Sequence, residues 1–161
     1  MTDKQRTEDT RRLTLGLRNN FSQIQYSWEH PGRAYDRVSV PTQLVMTLLA
    51  YVALTPLEEI LAFLARDPLT PRAKRDFDIP DLNLGNPDGL AANLAQWRAA
   101  IGSGGVEMVM TDDSRRRLAG LRAWTPATPD SAAWEMTLDI ERLAAIVRGL
   151  VGAAYYWEAP L

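Results

Sequence analysis

Cysteine is absent from the 161 residues, and histidine occurs once, at His30. That set excludes disulfides, thiolate metal centres and multi-histidine metal sites, and it leaves almost no room for a serine triad. No glycine loop of the phosphate-binding kind and no carboxylate pair at catalytic spacing can be assembled, so neither a metal nor a cofactor is expected. Charge of one sign is missing too: 18 basic against 20 acidic residues give a net charge of -2. Attraction to nucleic acid or anionic lipid would therefore have to come from a local basic patch. The most apolar run, "LVMTLLAYVAL", is too short to span a bilayer and reads as a buried core helix. The charged opening "MTDKQRTEDTRR" is not followed by an apolar stretch, so it does not read as a signal peptide. A cytoplasmic protein without membrane contact is expected.

The length suits one domain with a real hydrophobic core. Leu13, Leu17, Ile24 and Trp28 recur at helical spacing and predict a first helix over about 7–29. "HPGR" ends it. A second helix is predicted from about Ser39, with Pro41 in its first turn, through Leu44, Leu48 and Val52 towards Leu64. Pro56 falls inside that run and should kink or split it. A connection rich in Pro, Asp and Gly follows, then a third helix over about 87–102 that stops at "GSGG".

The period then changes from helical to alternating. "VEMVMT", "RLAGLRAW" and "WEMTL" read as three strands, the first two joined by a turn at "DDSRR". Asp139 is a good N-cap for a last helix whose stripe is Ile140, Leu143, Val147, Leu150 and Ala154. The expected fold is mainly α: an up-and-down bundle of about four long helices, with a small antiparallel β insertion before the C-terminal helix.

The third helix carries two stripes. Leu90, Leu94, Trp97 and Ile101 are bulky and core-forming. Ala91, Ala95, Arg98 and Gly102 form a second face, small apart from its arginine. Small residues let another helix approach closely, so that face reads as one that touches something. An exposed arginine favoured by the helix C-terminus is the plainer alternative.

Taken in order, "QWRAAIGSGGVEM", "AGLRAW", "AWEMTL" and "DIERLAAIV" resemble the second half of HEPN-domain proteins, in the stand-alone branch with a β insertion before the last helix. "LRNNF" and "LLAYVALTPLEEI" extend the resemblance loosely into the first half, so residues 1–161 read as a single HEPN-like domain with its insertion over about 106–138. The resemblance implies a helical-bundle homodimer, here joined through the face of Ala91, Ala95, Arg98 and Gly102, from prokaryotic toxin–antitoxin or phage-defence systems. Active relatives cleave RNA without metal, using an arginine, usually a polar residue directly after it, and a histidine five positions on. Here these positions fall on Arg98, Ala99 and Ser103. The cation remains, but serine cannot shuttle a proton near neutrality as imidazole does. Ala99, Ser103 and Gly105 depart together, as expected after loss of selection for catalysis. His30, beside proline and glycine, reads as a surface-turn residue.

Three further features invite weaker readings. Arg115, Arg116 and Arg117 at the hairpin tip could grip phosphates, or be a solvated turn; "PRAKR" near 72–75 is similar. Tyr155, Tyr156 and Trp157 could stack nucleobases, although packing against the bundle or a partner subunit is favoured. Three functional readings follow. The first is a non-catalytic dimeric interaction or regulatory protein, retaining weak RNA binding through Arg98 and partnered by an antitoxin or a defence component. The second is an active metal-independent endoribonuclease using Arg98, and the third is a structural helical-bundle subunit of a larger complex.

Overall fold

A computed structural model describes residues 3–30, 40–66, 79–112 and 117–158. Chain order is α1 (Asp3–Glu29), α2 (Val40–Leu54), α3 (Leu57–Arg66), a single 3-10 turn (Pro80–Leu82), α4 (Leu94–Ser103), β1 (Val106–Met110), β2 (Leu118–Thr125), β3 (Trp134–Asp139) and α5 (Ile140–Glu158). The fold is mainly α with a small antiparallel sheet before the last helix, as the periodicity predicts. The helices are unequal: α1 has 27 residues and α5 has 19, but α3 and α4 have only 10 each.

Pro56 does split the second helical run. It has no N–H to continue the ladder and crowds the preceding turn, and α3 leaves α2 at 93°. No single helix among the described residues is long and apolar enough to cross a membrane.

The third helix starts seven residues later than its apolar spacing predicts. Asparagine side chains compete for the backbone through 83–93. Asn83 Oδ1 accepts from Gly85 N at 2.8 Å, and Asn86 Oδ1 from Asp88 N at 3.2 Å. Asn93 Nδ2 donates to the Pro87 and Gly89 carbonyls, both at 2.8 Å. The segment is therefore a string of turns, and Leu90 reaches the core from a turn instead of a helix.

The three strands pair in the order β1-β2-β3, antiparallel throughout. Val106 faces Ala123 and then Met136; Met108 faces Leu121 and then Leu138. Because side chains alternate along a strand, these six share one face and bring Leu121, Ala123 and Leu138 into the core. The opposite face carries Glu107, Arg122, Trp124 and Glu135.

Asp139 caps α5, its Oδ1 accepting from Arg142 N at 2.7 Å. The predicted stripe of that helix is buried at Leu143, Val147, Leu150 and Ala154, with Ile140 half-buried at the start. α5 is the hub: it packs on α1, α2, α3, β2 and β3. From α1, Leu17, Phe21 and Ile24 enter the core with Leu13 at its margin. The side chain of Trp28 lies outside the described residues.

Candidate functional site

Leu94, Trp97 and Ala100 bury one face of α4, and this anchors Arg98 on its flank beside the break between α2 and α3. In an unbroken helix the Val52 carbonyl would accept from residue 56, but Pro56 has no N–H to give. Arg98 Nε donates to the Val52 carbonyl instead, at 2.9 Å. Arg98 Nη2 donates to the Thr55 carbonyl at 3.2 Å and to Glu58 Oε2 at 2.8 Å, while Nη1 meets Glu58 Oε1. One guanidinium thus closes the end of α2 and forks onto a carboxylate in the first turn of α3.

Desolvation acts against ionisation of Glu58. The hydrogen bonds from Arg98 and the Glu58 backbone, with the charge of Arg98, outweigh it and hold the carboxyl below its ordinary value. The pair compensates both charges inside one chain.

The small residues of α4 point elsewhere. Ala95, Ala99, Gly102 and Ser103 are exposed. Ala95, Ala99 and Ser103 line an open groove of about 680 Å³ whose far wall includes Thr125, Pro126 and Trp134. Trp134 is held in place by an edge-on contact with Trp97, centroids 5.9 Å apart, and by Nε1 donating to Asn93 Oδ1 at 3.1 Å. Ser103 Oγ donates to the Ala100 carbonyl at 3.2 Å.

The small-residue face read from the sequence is not assembled as one surface. Ala91 lies in the turn before α4, half-buried against the core, and Arg98 reaches away to α2 and α3. Ala95 and Gly102 remain open. His30 follows α1 in the open, stacked on Tyr26 at 4.3 Å, with Nδ1 3.0 Å from the Tyr26 carbonyl. Its contacts come from its own helix and not from Arg98. Arg117 is exposed, its backbone N–H donating to Thr111 Oγ1 at 2.9 Å. Arg115, Arg116 and the stretch 72–75 lie outside the described residues, as do the side chains of Tyr155, Tyr156 and Trp157.

Local geometry also explains the bare "GSGG". Gly104 adopts φ 74° and ends α4 with its N–H on the Ile101 carbonyl, while Gly105 N–H reaches the Ala100 carbonyl at 2.8 Å. This is the paired closure by which helices often terminate, and it favours glycine at the left-handed position. A Cβ on Gly105 would sit 2.1 Å from the Trp124 carbonyl oxygen.

Two ion-pair groups escaped the sequence reading. Arg142 holds buried Asp81 through Nε, at 3.0 and 2.9 Å, and through Nη2 at 2.5 Å, and also donates to the Asp88 carbonyl at 3.1 Å. On the open face of the sheet Arg122 forks onto Glu135 at 2.9 and 2.8 Å, lies 3.5 Å from Glu107, and sits 5.3 Å from the Trp124 ring centroid. Aspartate and arginine 61 positions apart give no sequence signal. The sheet group could have been found from strand register.

Among the described residues no three histidine, aspartate or glutamate side chains are grouped to hold a metal. No family model, curated protein or solved structure matches the chain.

Proposed function

We propose that this chain is a non-catalytic interaction protein of HEPN-like build, related to prokaryotic toxin–antitoxin or defence ribonucleases. What supports this build is a mainly helical fold with a small antiparallel sheet placed before the last helix. One observation carries the reading: Arg98, the cation a nuclease of this kind would aim at phosphate, spends its donors on Val52, Thr55 and Glu58 of its own chain. A phosphate would have to displace a carboxylate and leave helix carbonyls unpaired.

The position that would hold imidazole is Ser103, whose hydroxyl bonds to the preceding helical turn. General acid–base transfer is worth roughly 10²–10⁴-fold, so a site without it is close to silent. What stays open near α4 is the groove beside Ala95, Ala99 and Ser103, suited to an apolar contact with a protein partner such as an antitoxin or defence component. The setting is cytoplasmic.

The test is incubation of the purified protein with structured RNA and tRNA in the presence of a chelator. Full-length RNA is expected to persist. Cleavage that is lost in folded Arg98→Lys would overturn the reading in favour of a working ribonuclease.

A further inference from the structure

We infer that β1 is a self-pairing edge: two copies of this chain join their β1 strands antiparallel about a two-fold axis at Met108, forming a six-stranded sheet. β1 pairs with β2 on one side only, and among the described residues no strand pairs with its other side. An unpaired strand edge is a template for another strand.

The direction of the free backbone groups follows from the ladder. Trp124 N–H bonds to the Gly105 carbonyl at 2.8 Å, and Thr111 N–H bonds to the Arg117 carbonyl at 2.7 Å. In an antiparallel ladder inward and outward groups alternate, so residues 107 and 109 face β2 while Val106, Met108 and Met110 turn theirs to the free edge. Pairing shifts between Val109 and Met110, with Gly120 and Leu118 as successive partners. The extra residue is Ala119 on β2, so β1 itself runs unbroken.

Edge strands are commonly blunted by lysine, proline, bulges or a covering element. β3 carries Glu135 and Asp139 and runs directly into α5, which packs on it. β1 carries no lysine, arginine or proline. Its core-side residues Met108 and Met110 are 45% and 36% exposed, although their face continues into fully buried Leu121 and Leu138. The apolar side of the sheet extends past its cover.

The sequence of β1 selects a second copy as the occupant. About Met108, Val106 opposes Met110 of the other copy and Met108 opposes Met108, so every outward backbone group finds a partner and the exposed methionines cover one another. Glu107 then opposes Val109 and keeps Arg122, 3.5 Å away in its own chain. Moving the axis to Glu107 would set two carboxylates face to face, which is unfavourable. Moving it to Val109 shortens the paired length.

The absence of cysteine makes a clean experiment possible. Directly opposed residues in a hydrogen-bonded antiparallel pair lie about 5.5 Å apart at Cα, too widely spaced at Cβ for an unstrained disulfide but within reach of a short bifunctional thiol reagent. Met108→Cys is therefore expected to give a covalent dimer with such a reagent. Met46→Cys, on a helix position 53% exposed, is expected to stay a single chain. By light scattering the wild type should run at twice the chain mass. Met108→Pro should run at one, since it removes an outward N–H and leaves the β1–β2 ladder intact. Circular dichroism checks its fold, and Met108→Lys replaces it if proline prevents folding. A monomeric wild type overturns the inference, as does a dimeric wild type whose Met108→Cys variant does not cross-link or whose folded Met108 variants remain dimeric. RNA cleavage bears only on the non-catalytic reading, so the two can fail separately.

Discussion

Arg98 Nε donates to the Val52 carbonyl across 46 positions of sequence, and that carbonyl is the one Pro56 leaves without a helical donor. The break that turns α3 by 93° and the arginine that closes it belong to one device. Without the guanidinium, α2 would end on carbonyls with no partner at a junction where Thr55 and Leu57 are buried.

Arg98→Ala should therefore behave as a stability mutation. Orphaned part-buried acceptors cost about 1–3 kcal/mol, and each kcal/mol lowers the melting temperature of a chain this size by about 2–4 °C. Arg98→Lys keeps the charge, loses the planar fork, and should recover only part of the difference. Thermal denaturation followed by circular dichroism reads both.

Acid should weaken the same junction. The Glu58 carboxyl is held below its ordinary value of 4.5 in the folded chain, so its pairing stabilises fully above that value and fades as pH falls through the lower folded value. Wild type and Glu58→Gln should differ most near neutrality and converge as the pH falls below 4.5 and through the lower folded value. Glu58 is largely exposed and the effect will be small. Urea titrations at several pH values measure it. Glu135 shifts the same way through its hydrogen bond from Arg122.

The pair formed by Arg142 and Asp81 predicts an asymmetry. The Asp81 side chain is 7% exposed and that of Arg142 35%. Arg142→Ala strands a buried carboxylate and should cost about 3 kcal/mol, near the lower limit for a broken buried pair. Asp81→Ala leaves an arginine that can reach water and the Asp88 carbonyl, and should cost clearly less. Comparison of denaturation midpoints decides the order.

Three glycines at the end of α4 should respond differently to alanine. Gly102 has nothing within 4 Å of its added Cβ, so Gly102→Ala should stabilise by about 0.5–1 kcal/mol. Gly104 has space but a φ of 74°, so alanine there should cost about 1–2 kcal/mol. Gly105→Ala meets the Trp124 carbonyl oxygen and should be the most damaging. Melting temperatures in the order 102, wild type, 104, 105 would support this account.

Local sequence determined much of the architecture: the amphipathic α1, the split at Pro56, the three alternating strands, the Asp139 cap and the buried stripe of α5. Each is a local matter, set by side-chain spacing or by one residue's backbone chemistry. It misplaced the start of α4, because four apolar residues at helical spacing cannot reveal that Asn86 and Asn93 will take the carbonyls instead. The face joining Ala91, Ala95, Arg98 and Gly102 assumed that spacing fixes direction. A guanidinium on a long side chain goes where unpaired acceptors are, and these came from α2 and α3. Only the tertiary structure could decide that, because hydrogen-bond satisfaction in a folded chain depends on which segments meet, and sequence separation carries no record of the meeting.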